Sequence, residues 1–307
     1  MNESAQRALI SFGIQARNIK KPPDAKLASV YLIDGRYLLR SRRCLDNTET
    51  NFAAERELLG MTAGLTGYRF PDYQLSKEGR YFFIDGRSFW TVHELIPGQS
   101  LGNWYELHRV PSRVDRQVMA AFRHLHDSTM GRFAETLISR TLLLDLLQPA
   151  LTEAPLFLTE HSLRWILSSI QRVKAFTRAY PVKQACFVHG DFHHGNVLAD
   201  KDKVVGFIDL DWCRVGNVFE DLGFTMMMLL RDYRTWSTEF RWQRYHDVLD
   251  AYRFNGDASI LNDYIALYAL FDCGVFKSAT FNRAGEFYEY QKVFLETVCR
   301  TIAKGES

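Results

Sequence analysis

The chain has 307 residues and a mass of 35.6 kDa, which is enough for two packed domains or one large one. Hydrophobic residues make up 47% of it and charged residues 24%, a globular composition that excludes intrinsic disorder and collagen-like structure. The 38 basic residues nearly balance the 36 acidic ones, so composition predicts neither a dedicated nucleic-acid binder nor a membrane-surface binder.

The cysteines and the apolar runs indicate the compartment. The five cysteines contain no Cys-x-x-Cys pair, so neither a disulfide framework nor a cysteine zinc site is expected. The N-terminus lacks the apolar core of a signal peptide. The longest apolar runs are broken by Arg231 and Asp272 and fall short of the roughly 18 residues of a membrane span. We therefore expect a cytoplasmic protein.

The first third of the sequence is predicted to be rich in strands. Four β-prone runs form two hairpins across Asp-Gly turns, 29–33 with 37–40 and 81–84 with 88–92. One helix, at about 48–62, separates the hairpins, and Pro97-Gly98 ends the region.

The remainder is predicted to be mostly helical. Apolar residues at helical spacing predict helices near 114–125, 163–173, 218–231, 240–254, 259–275 and 284–303. A short β-hairpin, 196–199 with 204–208, interrupts them. The pattern predicts an α+β fold with a β-rich N-terminal lobe (1–96) and a larger helical lobe (97–307).

The chemistry-bearing residues cluster in two nearby loops. The first reads His189-Gly190-Asp191 with Asn196 five positions after the aspartate, and the second reads Asp209-Leu210-Asp211. Carboxylate and amide oxygens are the ligands that Mg²⁺ takes alongside substrate phosphate oxygens. The spacing therefore points to a phosphate-handling site.

The pattern HGDxxxxN followed by IDxD resembles the aminoglycoside phosphotransferase and choline kinase family, which has a protein-kinase-like bilobal fold. The resemblance implies that Asp191 is the catalytic base that accepts the hydroxyl proton, and that Asn196 and Asp209 hold Mg²⁺. The resemblance also implies three supporting roles. Asp211 is a second acid of the motif, His189 braces the catalytic loop, and Asp221 buttresses the same loop.

The same resemblance assigns nucleotide contacts to the N-terminal lobe. A kinase-like lobe needs a strand cation for the ATP phosphates and an acid on the next helix to hold that cation. Arg40 and Glu55 occupy these positions, with Arg42 and Arg43 as close competitors for Arg40.

The purine and the phosphates have further predicted contacts in this lobe. The segment 92–98, which connects the two predicted lobes, resembles the hinge of the family, where the backbone from Glu94 to Ile96 meets the purine. The segment 22–29 contains no glycine, unlike the glycine-rich loop of protein kinases, so Ala28 and Ser29 are the expected small residues beside a phosphate.

The function implied by the resemblance is transfer of the γ-phosphoryl group of MgATP to a hydroxyl of a small molecule. Sugars, amino alcohols and aminoglycosides are the acceptor types of the family, and neither nucleic acid nor membrane is an expected partner. Segment 22–29 lacks the glycines of a kinase loop, and an arginine, Arg40, stands at the position of the strand cation. A nucleotide-binding pseudokinase or scaffold without transfer activity is therefore the alternative.

A transition-metal site made by His189, His193, His194 and Asp191 is the other alternative, because imidazole and carboxylate both bind zinc. It explains neither Asn196 nor the acids that follow. His193 and His194 are instead expected to face solvent or the nucleotide phosphates.

Overall fold

The computed structural model describes residues 2–22, 29–43, 48–102, 112–134, 142–231, 236–237, 241–279 and 284–303. The chain divides into two units, residues 1–98 and 99–307. The lobe boundary predicted at residue 96 lies just before this division.

The N-terminal unit contains an antiparallel sheet of five strands in the order β1-β2-β3-β5-β4. The strands are β1 (Ile19–Lys20), β2 (Ser29–Ile33), β3 (Tyr37–Arg43), β4 (Phe83–Asp85) and β5 (Ser88–Glu94). Both predicted hairpins are present. Asp34 and Gly35 have φ angles of 53° and 66°, the left-handed pair that a tight two-residue hairpin requires.

The two faces of this sheet meet different partners. On one face, Leu39, Trp90 and Val92 form a core with the helix α1 (Glu3–Ser11), which the sequence analysis did not predict. On the other face, Phe52 of α2 (Thr48–Thr66) contacts the rings of Phe89 and Tyr73, with ring centroids 5.1 and 4.7 Å away. Helix α2 therefore lies against the face that carries Arg40 and Arg42 of β3.

The C-terminal unit is mainly helical. Its helices are α3 (Ser112–Thr129), α4 (Leu142–Leu146), α5 (Gln148–Glu153), α6 (Glu160–Ala179), α7 (Val218–Leu230), α8 (Trp242–Tyr252), α9 (Ala258–Ser278) and α10 (Ala284–Ala303). Helices α4 and α5 were not predicted. Helix α9 contacts α6, α7 and α10 and is the core helix of the unit.

One helix in the described part of the chain, α9, is long and apolar enough to cross a membrane by length and composition. Most of its apolar window, 72%, is buried within the protein. The helix also carries the buried Asp263, which accepts hydrogen bonds from Arg172 of α6. This burial is typical of a core helix.

Short strands of the C-terminal unit position the loops that carry the motifs. Strands β6 (Gln99–Ser100), β8 (Val197–Asp200) and β9 (Lys203–Phe207) form one sheet, in which β8 and β9 are the predicted hairpin. Strand β7 (Cys186–Val188) pairs with β10 (Arg214–Gly216). The HGDxxxxN loop therefore begins where β7 ends, and the acidic motif follows β9.

Candidate active site

The loop of residues 189–196, which we call the HGD loop, is anchored to two helices through Phe192. The Phe192 side chain is fully buried and stacks on Phe122 of α3, with ring centroids 3.5 Å apart. Its carbonyl oxygen accepts a hydrogen bond of 2.9 Å from the Thr225 hydroxyl of α7. The buried phenylalanine thus fixes the backbone next to Asp191.

The backbone of Ile208 joins the HGD loop to the acidic motif. Its N–H donates to the Asn196 carbonyl oxygen at 3.0 Å, and its carbonyl oxygen lies 3.0 Å from His189 Nε2. His189 Nδ1 accepts from the Asp191 N–H at 3.3 Å, so Nε2 carries the proton that is donated to Ile208. Burial lowers the pKa of His189, which favours this neutral form. Asp209 is thereby held beside the HGD loop.

Asp191 and Asn196 are in direct contact. Asn196 Nδ2 donates to the Asp191 carbonyl oxygen at 2.9 Å and lies 3.3 Å from the carboxylate oxygen Oδ2. Burial raises the pKa of Asp191 well above its ordinary value, and the charges of Asp209 and Asp272 raise it further. Carboxylates therefore concentrate negative charge here, and a cation would relieve their repulsion.

Asp209 has a left-handed backbone, with a φ angle of 61°. A residue with a Cβ atom pays about 1–2 kcal/mol for this conformation, and such outliers are concentrated at functional sites. Asp209 is half-buried, whereas Asp211 is exposed. With Nδ2 of Asn196 bonded to Asp191, its Oδ1 is the amide atom suited to a cation, so the donor set of Asn196 and Asp209 fits Mg²⁺.

Asp221, at the start of α7, binds the backbone of the HGD loop. Its two carboxylate oxygens accept the backbone N–H groups of His189 and Gly190, each at 2.7 Å. His126 of α3 lies with Nε2 3.2 Å from Asp221 Oδ2. Burial by itself would raise the pKa of Asp221, but the His126 hydrogen bond, its charge interactions and the backbone donors lower it.

A second contact of His126 extends this network. His126 Nδ1 lies 2.6 Å from the hydroxyl of Tyr252 on α8, so Tyr252, His126 and Asp221 form one buried chain of hydrogen bonds. Tyr252 and His126 were not predicted to have a role. Neither residue stands in a motif, and only the packing of α3 against α8 brings them together.

Gly190 is required by the close approach of another backbone segment. Its φ angle is 82°, and a Cβ atom added there would lie 2.4 Å from the Trp212 carbonyl oxygen. We expect Gly190→Ala to lower the free energy of unfolding by more than the roughly 1–2 kcal/mol of the left-handed backbone alone, because the clash forces the HGD loop to move. The measurement is chemical denaturation of the full chain.

Gly86→Ala is the matched control for this prediction. Gly86 also has a left-handed φ angle, 60°, but nothing lies within 4 Å of the added Cβ atom. The control variant should lose only the backbone contribution of about 1–2 kcal/mol. Equal losses in the two variants would contradict the assigned clash.

The expectation that His193 and His194 face solvent was wrong, because both side chains are buried. His194 is fully buried with Nε2 2.8 Å from Asp115 Oδ1, and Asp115 also accepts from Arg244 at 3.0 Å. His193 Nδ1 accepts from the Gly195 N–H at 3.0 Å, and burial lowers the pKa of His193 to about 3. No group of three or more His, Cys, Asp or Glu in the described ranges is arranged to hold a metal.

In the N-terminal unit, the cation that pairs with Glu55 is Arg42 rather than the expected Arg40. Arg42 donates two hydrogen bonds to the Glu55 carboxylate, at 2.6 and 3.0 Å, and the Tyr73 hydroxyl donates a third at 2.7 Å. Arg40 and Arg42 alternate with the core residue Leu39 along β3, so both approach the face covered by α2. Sequence could not choose between them, and Tyr73 was missed.

The other predicted nucleotide contacts lie at the ends of strands. Glu94 ends β5 and pairs with Arg36 at 2.9 Å, and Ile96 is buried just beyond it. Ser29 begins β2 and is paired with Ser41. Ala28, the other small residue of the glycine-free segment, lies outside the described residues.

The fold and the site indicate the class to which this protein belongs, and the comparison with known proteins indicates the same class. The two units have the architecture of protein-kinase-like small-molecule kinases. A sequence model of the phosphotransferase enzyme family matches residues 20–261, so the chain belongs to this family and is a small-molecule kinase. A comparison with curated protein sequences found no match.

Solved structures with the same fold are distant in sequence. One is the amicoumacin kinase hAmiN in complex with AMP-PNP, Ca²⁺ and Ami (15% identity, TM-score 0.68, covering 96% of this chain and 94% of that one). Another is a microcompartment-associated aminopropanol kinase (15% identity, TM-score 0.69, 98% and 97% coverage). A third is APH(2'')-IIia with GDP and kanamycin (17% identity, TM-score 0.65, 95% and 97% coverage).

Proposed function

We propose that the protein transfers the γ-phosphoryl group of ATP to a hydroxyl of a small molecule, with Asp191 as the catalytic base. The observation that carries this proposal is the double hydrogen bond of Ile208 to His189 and Asn196, which holds Asp209 beside Asp191 and Asn196. A base, an amide oxygen and a second carboxylate at one point are what phosphoryl transfer needs.

Each residue has a distinct role in this proposal. Asp191 orients the acceptor hydroxyl and takes its proton, while Asn196 and Asp209 hold Mg²⁺. Bound Mg²⁺ supplies neutralisation of the developing phosphate charge. His189 and Asp221 are positioning residues, because they fix the loop backbone and contact no reacting atom. Asp211 is an exposed second acid near the same point.

The N-terminal unit supplies the nucleotide contacts. Arg42 is the phosphate cation that Glu55 orients, in place of the Arg40 assignment, and its planar fork explains the two-point pairing with a carboxylate. The backbone from Glu94 to Ile96 meets the purine, and Ser29, at the start of β2, lies at the phosphates. These contacts bind and orient the nucleotide.

Arg42→Ala is expected to weaken ATP binding by about tenfold or more, since a charged hydrogen-bond donor contributes about 1.5–3 kcal/mol. Arg40→Ala, on the same face of β3, should weaken it less. Arg42→Lys is the matched variant: it keeps the charge but loses the two-point contact with Glu55, so we expect an intermediate affinity. Titration calorimetry with ATP and Mg²⁺ measures all three, and a larger effect at Arg40 would return the role to Arg40.

The acceptor is a small molecule with a hydroxyl group, of the sugar, amino alcohol or aminoglycoside type. The solved structures named above support this range, since they are an amicoumacin kinase, a phosphotransferase bound to kanamycin and an aminopropanol kinase. Cys186, Cys273 and Cys299 are buried thiols outside any disulfide, which suits the cytoplasm, where ATP and Mg²⁺ are available.

The test of this function is a screen of hydroxylated metabolites and aminoglycosides with γ-labelled ATP and Mg²⁺. We expect label transfer to at least one acceptor class and slow hydrolysis without acceptor, and both should disappear in Asp191→Asn. Tight ATP binding that ignores Mg²⁺, together with no transfer across the panel, would instead support a pseudokinase.

A further inference from the structure

The helical unit contains a cavity of about 500 Å³ that is separate from the HGD loop. It lies between the C-terminal ends of α3, α6 and α8 and the N-terminal end of α7, and the described residues that line it include none from 189–196. Its volume falls in the range of small-molecule sites. The cavity is therefore large enough for a ligand of its own.

Aromatic rings that touch one another form its wall. Phe176 contacts Tyr180 and Phe219, with ring centroids 5.3 and 4.9 Å apart, and Phe219 contacts Phe254 at 5.6 Å. A Cβ atom on the lining residue Gly256 would lie 2.7 Å from Phe254 and 2.8 Å from Phe219. The absence of a side chain at Gly256 therefore lets the rings of Phe254 and Phe219 pack against its backbone.

The charged residues of the wall carry a net charge of −1. Arg123 is paired with Asp127 at 2.6 Å, so these two charges compensate each other. Asp257 caps α9 and accepts the Ser259 hydroxyl and N–H, which lowers the pKa of Asp257 and keeps it ionised at neutral pH. The guanidinium of Arg123 already lies over the Tyr252 ring, 5.5 Å from its centroid. Ring faces of this kind and the carboxylate of Asp257, outside the Arg123–Asp127 pair, favour an organic cation.

The cavity is also connected to the HGD loop by hydrogen bonds. Tyr252 lines it, and the Tyr252 hydroxyl lies 2.6 Å from His126 Nδ1. His126 contacts Asp221 at 3.2 Å, and Asp221 holds the backbone of His189 and Gly190. A ligand that displaces the Tyr252 ring would change how firmly Gly190, the neighbour of Asp191, is held.

We propose that this cavity is a second ligand site, for an ammonium ion with an aryl body. A ligand bound there changes how firmly the backbone of residues 189–191 is held, through the hydrogen bonds of Tyr252, His126 and Asp221. Binding at this site does not depend on phosphoryl transfer, so its test stands whether or not the proposed kinase reaction is found.

Binding is tested with three probes that share one body and differ in charge: 3-phenylpropylammonium, 3-phenylpropanol and 3-phenylpropionate. In calorimetric titrations of the full chain, the ammonium probe should bind about threefold to tenfold more tightly than the alcohol, as expected for a cation over rings beside a carboxylate. The propionate should bind most weakly. Equal affinities, or tighter binding of the propionate, would overturn the site.

Two variants locate the probe. Ala179 is an exposed lining residue near the end of α6, so Ala179→Trp should fill the cavity and weaken binding about tenfold or more. Asp257→Asn keeps a good helix cap but removes the charge, and should weaken binding about threefold. Asp202→Asn, an exposed acid in the β8–β9 turn, is the control. If Ala179→Trp leaves the affinity for the ammonium probe unchanged, the probe binds elsewhere and the cavity is not its site.

The link to the HGD loop is tested by hydrogen exchange of the His189 and Gly190 amides. Saturation with the ammonium probe should change their exchange rates at least twofold. Tyr252→Phe keeps the ring but removes the hydroxyl, so it should bind the probe equally well without that change. Unaltered exchange in the wild type, or a change that persists in Tyr252→Phe, would overturn the link.

Discussion

Asp191→Asn is expected to reduce phosphoryl transfer by about 10²–10⁴-fold, the contribution of a positioned general base. The amide can still accept the hydrogen bond of the acceptor hydroxyl, but it cannot take the proton. Nucleotide affinity should stay within about twofold, because a neutral group replaces one of several carboxylates that repel one another at this point. The expected signature is a lost turnover with retained binding.

Asp209→Asn is expected to give a different signature, in which binding is lost together with turnover. Asp209 is the proposed principal metal ligand, so its amide variant should weaken Mg²⁺-dependent nucleotide binding as well as turnover. Single-turnover transfer of labelled phosphate and calorimetric titration with and without Mg²⁺ separate the two effects. Asp202→Asn, in an exposed turn, should change neither. Turnover of Asp191→Asn near the wild-type level would remove Asp191 from the role of base.

That the predicted site residues of the C-terminal unit lie near one another could be predicted, because they are close in sequence. His189, Asp191 and Asn196 stand in one short loop, and a single hairpin leads from Asn196 to Asp209. Local strand signals are then enough to bring the two loops together. The hydrogen bond from the Ile208 N–H to Asn196 follows from that hairpin, since it continues the pairing of β9 with β8.

The partners that depend on packing between distant elements were not predictable. Which arginine of β3 meets Glu55 depends on where α2 lies against the sheet, and a shift of two residues along the strand keeps the same face. Tyr73 and His126 lie far in sequence from the acids they contact, and no spacing rule identifies such residues. Helix α1 was missed because two of the three residues that it buries, Ala5 and Ala8, are small.

Asp221→Asn is expected to lower the free energy of unfolding by about 3–5 kcal/mol, the usual cost of removing one partner from a buried charged network. The carboxylate accepts from His189 N–H, Gly190 N–H and His126. An asparagine offers one acceptor oxygen, and its NH₂ group would face a buried donor. The variant should also lose turnover, since the backbone beside Asp191 is released.

The pH dependence of the free energy of unfolding distinguishes the contribution of the Asp221 charge from that of its shape. The pKa of Asp221 is lower in the folded chain than its unfolded value of about 3.9, so its stabilisation is complete above that value and is lost as the pH falls through the folded pKa. The difference between wild type and Asp221→Asn in urea unfolding should therefore be largest at neutral pH and shrink below pH of about 4. Asp202→Asn, an exposed acid, should show no such difference, and a constant gap between pH 7 and 3 would mean that the ionised carboxylate is not what holds the loop.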